Sequence, residues 1–469
     1  MPQLAPAAHA SAPPHGAGGR ATLAVTATAT AVALMNYTAP MLTLPDMAVA
    51  FGTPASAQAW LLNGTPLGLA VLLLVAGSLA DAHGRRRVFL LGTLALGLTT
   101  ALGALAGSTL TFTLARVAQG AASAAVLAGS LGLLAHAYPA GRDRIRATGI
   151  WGASVSGGIA LGPLLAGALS LADWRLAYGV LGAAALATAA IGARTLPYDR
   201  PEPHRQGRRR PDIAGATTLG LALAALLTAL TLGRDGWLRP QVGLLLLASA
   251  ALTAAFAAVE HRSRTPMVDL ALLRRPAFLA SVLGALFTGL AVIGLFSVVP
   301  ALLQGGAGMS PLGAAWLFVL WSGTAFVVAL QARRLAARLS APYQLTLGFA
   351  LSAAGILALL GSIEGGPWPR LLPGLLLAGA GSGLLNAALP RLAVDSVPPE
   401  RAAMGSGANN TARYIGSSAG VALTLALGPA GPDTALLVSA GLAATGAALT
   451  LVLARGHRPG TSVAQTTSR

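Results

Sequence analysis

The chain alternates long apolar runs with short polar connections. A helix needs about 20 consecutive apolar residues to cross the hydrocarbon core of a bilayer. Runs of this length lie at about 22–45, 58–80, 88–107, 110–135, 147–170, 174–196, 212–233, 240–260, 277–303, 311–333, 343–363, 370–394, 402–428 and 432–455. The pattern therefore predicts an all-α integral membrane protein with fourteen transmembrane helices. A count of twelve would leave the two apolar runs within 212–260 as a loop.

The composition is that of a membrane protein, and the motifs that are missing exclude several classes of function. Only 10% of the 469 residues are charged, against about 25% in soluble domains. The chain has no cysteine, which excludes disulfides and thiolate metal sites. We find no P-loop for ATP hydrolysis and no D-x-x-D pair of the kind that membrane-embedded transferases use to hold metal and pyrophosphate. We therefore expect neither an enzyme nor a bound cofactor or metal.

The positive charge follows a topological rule. All 31 basic residues are arginine, and the net charge is +17. If the N-terminus lies inside, nearly all of these arginines lie on the inner side. The exceptions are Arg175, Arg234, Arg239 and Arg370 in outer loops and Arg116 and Arg413 within spans. This bias fits the positive-inside rule. We expect a multi-pass cell-membrane protein with cytoplasmic termini and arginines on anionic headgroups, and no nucleic-acid partner.

The predicted spans divide the chain into seven regions. They are a disordered tail at 1–21, a six-helix bundle at 22–196, a basic linker at 197–211, two additional helices at 212–260, a cytoplasmic loop at 261–276, a second six-helix bundle at 277–455 and a tail at 456–469. The linker contains Arg208, Arg209 and Arg210, which places it on the cytoplasmic side.

The connection between the second and third spans carries the most distinctive motif. It contains Gly77, Asp81, Gly84, Arg85 and Arg86 in the spacing G-x-x-x-D-x-x-G-R-R. The glycine in the connection, Gly84, predicts a tight turn between the two spans. A basic loop needs no such spacing of glycines and acid. The motif resembles the signature of the major facilitator superfamily, in the loop after its second helix. The resemblance implies that Asp81 makes charge contacts that hold one conformation of a transporter.

Further motifs resemble the fourteen-helix drug:proton antiporter branch of that superfamily. In the fourth span, Arg116, Gln119 and Gly120 resemble its R-x-x-q-G motif. The fifth span is similar to its antiporter motif, with Ala166 in place of one glycine; the matching residues are Gly149, Gly158, Gly162, Pro163 and Gly167. Such glycines let helices approach closely. The resemblance implies two six-helix bundles that rock about a midplane site, two additional central helices, and efflux of a lipophilic small molecule.

One departure leaves the driving force open. Asn36 stands where the family usually has an aspartate in its first helix, and all fourteen acidic residues fall at loops or helix ends. Intramembrane carboxylates are the usual proton carriers. Proton antiport therefore follows from the resemblance alone. The alternatives are a facilitator, a carrier with another coupling ion, and a membrane sensor that does not transport. His136 near the inner end of the fourth span is more typical of a loop-facing side chain than of a proton carrier.

The substrate cavity is predicted from depth. At a rise of about 1.5 Å per residue, Asn36 and Arg116 lie at the same level of a core about 30 Å thick, with Asn63 and Gln119 in the same outer half. In the second half, the candidates are Trp321, Asn409, Asn410 and Arg413. For Asn409 and Asn410 the alternative is interhelical hydrogen bonding. For Trp321 it is packing, and for Arg116 it is snorkelling to the headgroups. A cavity without acids favours a neutral, zwitterionic or anionic apolar substrate. We expect a monomer.

Overall fold

The computed structural model describes residues 17–138, 142–197, 213–233, 235–263, 270–336, 339–364, 367–398 and 402–456. The α-helices in these ranges are α1 Ala17–Thr38, α2 Pro40–Ala50, α3 Gln58–His83, α4 Arg85–Ala104, α5 Thr109–Ala137, α6 Arg142–Leu169, α7 Arg175–Thr195, α8 Ile213–Gly233, α9 Pro240–Arg262, α10 Pro276–Phe287, α11 Gly294–Gly306, α12 Pro311–Ala336, α13 Ala341–Leu357, α14 Leu371–Asp395, α15 Ala402–Ala426 and α16 Pro432–Gly456. Each predicted span coincides with one helix or with two consecutive helices. A π-helical turn, Thr288–Ile293, joins α10 to α11.

Ten helices of the described ranges are long and apolar enough to cross a membrane by length and composition. The all-helical membrane fold is thus confirmed, whereas the count of fourteen spans stays a prediction. Two of the other segments are interrupted or short: the first divides into α1 and α2 at Ala39, and α13 has 17 residues. Pro40 at the start of α2 lacks a backbone N–H, which favours a helix boundary there.

Helices α1–α7 pack mainly against one another, and so do α10–α16. The two groups meet where α3 packs on α15, α6 on α12, and α2 on α11. Helix α8 contacts both α3 and α15, and α9 packs mainly on α8. We call the end that holds the α3–α4 turn the basic end, because Arg85, Arg86 and Arg87 follow that turn. The other end is called the opposite end.

The α3–α4 turn confirms the tight turn predicted at Gly84. This residue alone separates the two helices, and its φ is +96°. A side chain would be strained at that φ, whereas glycine adopts it readily. The reversal of direction therefore depends on glycine at this position.

The predicted tail 1–21 is too long, because α1 begins at Ala17. Two hydrogen bonds hold this first turn: the Thr22 hydroxyl donates to the Gly18 carbonyl, and the Tyr138 hydroxyl donates to the Gly19 carbonyl at 2.9 Å. The rest of that tail, the tail beyond 456 and nearly all of the linker 197–211 lie outside the described residues. The loop 261–276 contains a short 3-10 helix, Leu270–Arg274.

The glycines of α6 differ in their surroundings. A Cβ at Gly158 or Gly162 would overlap the backbone of α1, at Ala31 and Met35 respectively. Gly158 and Gly162 therefore permit the close helix approach that the sequence predicted. At Gly149, by contrast, a Cβ would meet nothing within 4 Å, so helix packing does not explain that glycine. Pro163 lies inside the continuous helix α6.

Candidate functional site

A buried polar cluster joins α1, α4 and α5. Its centre is Arg116, which is 1% exposed. Nη2 of Arg116 donates a 2.8 Å hydrogen bond to the Asn36 carbonyl, and Nη1 donates to Oε1 of Gln119. Arg116 and Gln119 are three residues apart on α5, a spacing that places them on one helix face. The structure thus brings together three of the predicted cavity residues and shows Arg116 buried, which excludes snorkelling in this conformation.

Gln119 connects the cluster to the other helices. Its Nε2 donates to Oδ1 of Asn36 at 2.8 Å and to the Thr100 hydroxyl at 2.6 Å. Its Oε1 also accepts from the Thr65 hydroxyl at 3.2 Å. One side chain therefore contacts α1, α3 and α4 from its position on α5, which suits an amide with two donors and one strong acceptor.

The cluster carries a positive charge without a carboxylate. Within the described chain, Arg116 is held by carbonyl and amide oxygens, and its Nε has no partner. Its Cζ lies 6.0 Å from the centre of the Tyr178 ring, whose hydroxyl is 2.9 Å from the hydroxyl of Thr43. A buried cation needs such dipolar partners or an anion. The cluster therefore has residual positive potential.

Hydrogen bonds between described residues link the two groups of helices at three points. Nδ2 of Asn63 donates to the Ser418 carbonyl at 3.0 Å. The Tyr37 and Ser417 hydroxyls lie 3.1 Å apart. Nearer the opposite end, Nε2 of Gln304 donates to the Leu42 carbonyl at 3.0 Å. These contacts close the middle and the opposite end of the interface between the groups.

A small cavity of about 10 Å³ lies at this interface. Its lining contains Tyr37, Met41, Leu62, Pro66, Ser297, Ser417 and Val421. The predicted cavity residues Asn36 and Asn63 are sequence neighbours of two of these, but they do not line this cavity themselves. Ligand pockets for drug-sized molecules usually measure about 300–1,000 Å³. The cavity is therefore far smaller than a drug-sized pocket in this conformation.

The candidates of the second group form separate contacts. Nδ2 of Asn409 donates to the carbonyl and the hydroxyl of Ser281, both at 2.9 Å, which is interhelical hydrogen bonding. Nη2 of Arg413 donates to Oδ1 of Asn410 at 2.9 Å. A substrate contact for any of these side chains stays a prediction.

Trp321 packs against an aromatic neighbour. Its ring stacks on Phe296 with centroids 4.5 Å apart and planes at 8°. It is 8% exposed, and its indole N–H has no hydrogen-bond partner. The packing alternative thus describes the ring in this conformation, and a substrate contact of Trp321 stays a prediction.

The α3–α4 turn is anchored by arginines to backbone carbonyls. Nη1 of Arg85 donates to the Gly132 carbonyl at 3.1 Å, and Arg86 donates from Nε to Leu196 at 3.1 Å and from Nη2 to Ala193 at 2.7 Å. Cations at the carboxyl ends of helices are stabilised by the helix dipole. The side chain of Asp81 lies outside the described part of the chain, so its predicted charge contacts remain a prediction.

Sequence reasoning missed the aromatic residues of the interface. Tyr37 and Tyr414 meet edge to face with ring centroids 5.8 Å apart, and Arg413 places its Cζ 5.5 Å from the Tyr414 ring. Tyr37 directly follows Asn36, and Tyr414 directly follows Arg413. The aromatic residue directly after Asn36 and the one directly after Arg413 were the available signal.

The chain matches the family model described as Major Facilitator Superfamily over residues 26–421. It is 32% identical to the multidrug resistance protein Stp of Mycobacterium tuberculosis, over 81% of this chain and 70% of that protein. It is 33% identical to the puromycin resistance protein pur8 of Streptomyces alboniger, over 86% of this chain and 80% of that protein.

A solved structure has the same fold. It is a bacterial homologue of the human lysosomal transporter Spinster, in an inward-facing and unoccupied conformation, with a TM-score of 0.66 and 16% identity over 95% of this chain and 98% of that one. The helix packing, the interface between two groups of helices and the family match lead to one conclusion. The chain is a membrane transporter that belongs to the Major Facilitator Superfamily.

Proposed function

We propose that this transporter exports a lipophilic, drug-like or antibiotic-like small molecule by alternating access. The observation that carries the proposal is the Arg116 cluster, a buried polar centre beside a cavity between the two groups of helices. A few placed polar groups next to apolar walls are typical of small-molecule sites. Drug-resistance relatives at about one-third identity support the substrate class.

The orientation belongs to the same proposal. The basic end faces the cytoplasm of a bacterial cell, in contact with anionic headgroups, because arginines are enriched on that side. The transporter functions as a monomer with both termini inside. Closure of the opposite end by contacts such as Gln304 to Leu42 corresponds to a conformation that is accessible from the cytoplasm.

Proton antiport remains one of two proposals for the driving force. The family resemblance favours it, whereas the cluster around Asn36 and Arg116 uses amides where a proton carrier needs a titratable group. Glu260 at the end of α9 is a buried carboxylate, with 2% exposure. It is distant in sequence from Asn36 and Arg116. Transport with another coupling ion, or without one, is the alternative that Asn36 favours.

Everted vesicles with an acidic interior test both the proposed export and its driving force. Puromycin and other lipophilic antibiotics are added while a pH-sensitive dye reports the gradient and uptake is measured in parallel. Uptake that dissipates the gradient only with the protein present supports proton antiport. Uptake without a change of gradient supports export with another driving force. Absence of uptake for every compound contradicts export of this class.

Arg116→Ala tests whether the Arg116 cluster takes part in transport. We expect uptake to fall at least about tenfold, because the variant removes charged hydrogen bonds of about 1.5–3 kcal/mol. Unchanged uptake by Arg116→Ala would contradict a role of the cluster in transport.

A further inference from the structure

The small cavity between the two groups of helices has the size and the wall of a water site. We propose that it holds one ordered water, which bridges Tyr37 of α1 to Ser297 of α11 and Ser417 of α15. Three features of the molecule support this water: the volume of the cavity, the hydrogen-bonding capacity of the three hydroxyls, and a polar stripe that leads to them. A water at this place is independent of the molecule that is exported.

The volume of the cavity fits a single water. It measures about 10 Å³, which matches the minimum of about 10–15 Å³ that one water needs. The remaining wall residues carry no hydroxyl, amide or charged group; they are Met41, Leu62, Pro66 and Val421. In this conformation the cavity therefore admits one water, and the three hydroxyls are its side-chain partners.

These hydroxyls supply the hydrogen bonds that a buried water requires. The hydroxyls of Tyr37 and Ser417 lie 3.1 Å apart and share one hydrogen bond, so one of their two protons remains to donate. The Ser297 hydroxyl donates to the Ile293 carbonyl at 2.6 Å, which leaves its oxygen as an acceptor. Buried waters typically make about three hydrogen bonds. A water here accepts from the Tyr37–Ser417 pair, donates to Ser297 and has the oxygens of the pair for its second proton.

A polar stripe on α15 leads from the start of that helix to the cavity. Its members follow one another at spacings of four, three and four residues, which places them on one helix face; they are Ser406, Asn410, Arg413 and Ser417. Asn410 donates to the Ser406 carbonyl at 3.0 Å and accepts from Arg413 at 2.9 Å. The first three residues are partly exposed and Ser417 is buried. The stripe therefore offers water a polar route along α15 to Ser417.

Such a water joins the two groups of helices, because Tyr37 belongs to α1 whereas Ser297 and Ser417 belong to α11 and α15. Water-mediated hydrogen bonds are nearly as favourable in enthalpy as direct ones. Each hydroxyl can exchange this water for another when the groups separate. The middle of the interface can therefore open without leaving these hydroxyls unpaired.

Radiolytic footprinting tests for the water. An X-ray pulse generates hydroxyl radicals from waters in place, and mass spectrometry measures the rate at which neighbouring side chains are oxidised. Met41 and Met47 form an internal comparison, because both lie on α2 and are buried, with exposures of 5% and 0%. Met41 lines the cavity, whereas Met47 contacts the hydroxyls of Thr43 and Tyr178. The purified full chain is irradiated with and without free methionine in the buffer, which scavenges radicals from bulk water.

We expect Met41 to be oxidised severalfold faster than Met47, with or without the scavenger, because a bound water produces its radicals beside the side chain. Ser297→Ala and Ser417→Ala each remove one partner of the water and should lower the Met41 rate severalfold. Met47 should keep its rate in both variants, which shows that the fold persists.

Ser352→Ala is the matched control. Ser352 is a buried serine of α13 that does not line the cavity, so this variant should leave the rates of Met41 and Met47 unchanged.

Equal rates for Met41 and Met47 in the unmodified chain would overturn the inference. So would a Met41 rate that the scavenger abolishes, because the oxidation would then come from bulk water that enters when the interface opens. A Met41 rate that neither Ser297→Ala nor Ser417→Ala lowers would also contradict it. None of these outcomes bears on antibiotic uptake into vesicles, which tests export separately.

Discussion

At the scale of single residues, the molecule places an unusual cation in its interior. Arg116 and Gln119 lie on one face of α5, and backbone and amide oxygens surround the guanidinium. Asn36 contributes twice, through its carbonyl to Arg116 and through Oδ1 to Gln119. An amide side chain does not titrate, so Asn36 adds no proton-carrying group to the cluster.

Asn36→Asp should make uptake depend on pH. The new carboxylate would lie beside Gln119 and near Arg116, and its protonation would change the charge of the cluster. We expect the ratio of uptake rates at pH 5.5 and pH 8 to change severalfold relative to the unmodified chain. Uptake into proteoliposomes at both pH values, without a gradient, measures this ratio.

Asn409→Asp is the matched control, because Asn409 is a buried asparagine in the other group of helices with Ser281 as its partner. The same change of ratio in both variants would contradict a specific effect at Asn36.

At the scale of helices, glycines set the distance between α15 and the π-helical turn. A Cβ at Gly416 would overlap the Leu286 carbonyl, and one at Gly420 would overlap the Leu290 carbonyl. Gly416 and Gly420 of the predicted thirteenth span are thus explained by contact with backbone. Single π-turns inside helices are frequently found at functional sites, and this one packs on the helix that carries Ser417 and Arg413.

Gly416→Ala should destabilise the protein. The added methyl group overlaps backbone that cannot rotate away, and overpacking of this kind costs about 1–3 kcal/mol. We expect the detergent-solubilised variant to unfold at a lower thermal midpoint. Size-exclusion chromatography after heating measures this midpoint.

Gly441→Ala is its control. A Cβ at Gly441 would meet nothing within 4 Å, and alanine is the better helix former by about 1 kcal/mol. The midpoint of this variant should stay equal or rise. Equal losses in both variants would mean that packing against the π-turn is not the cause.

The α3–α4 turn gives a second prediction at this scale. If Asp81 stabilises one of two conformations, Asp81→Asn should lower the transport rate more than substrate affinity, since the two states differ by a few kcal/mol. Initial rates over a range of concentrations separate the two effects. An equal loss of rate and affinity would count against a conformational role for Asp81.

At the scale of the whole molecule, the groups α1–α7 and α10–α16 meet through contacts that a rocking motion would have to break. Near the opposite end, Gly167 of α6 faces Pro311 and Ala315 of α12, and Gln304 reaches Leu42. Midway, Tyr37 meets Ser417. Among the described residues, few hydrogen bonds hold this interface, which suits two conformations of similar free energy.

A disulfide across the opposite end should stop transport reversibly. A Cβ at Gly167 would lie 3.1 Å from that of Ala315, near the range of about 3.5–4.5 Å found in disulfides. The chain has no native cysteine, so Gly167→Cys with Ala315→Cys gives one defined pair. We expect uptake to be lost under oxidation and restored by reductant.

The controls are Ala315→Cys alone, which should transport under both conditions, and the double variant under reductant, because a Cβ at Gly167 already lies 2.9 Å from the Pro311 carbonyl oxygen. Full uptake by the oxidised, cross-linked pair would contradict an opening of this end during the cycle.

The sequence by itself determined the membrane helices, the glycine turn at Gly84 and the polar residues of α5. Each follows from a local rule. Apolar runs of sufficient length form membrane helices, glycine readily adopts positive φ, and residues three apart share a helix face. Only the tertiary structure decided what those residues contact. The Asn36 carbonyl that accepts from Arg116 has no sequence signal, because every residue has such a carbonyl. Tyr37 and Ser417 are 380 residues apart, and their meeting depends on how all the intervening helices pack.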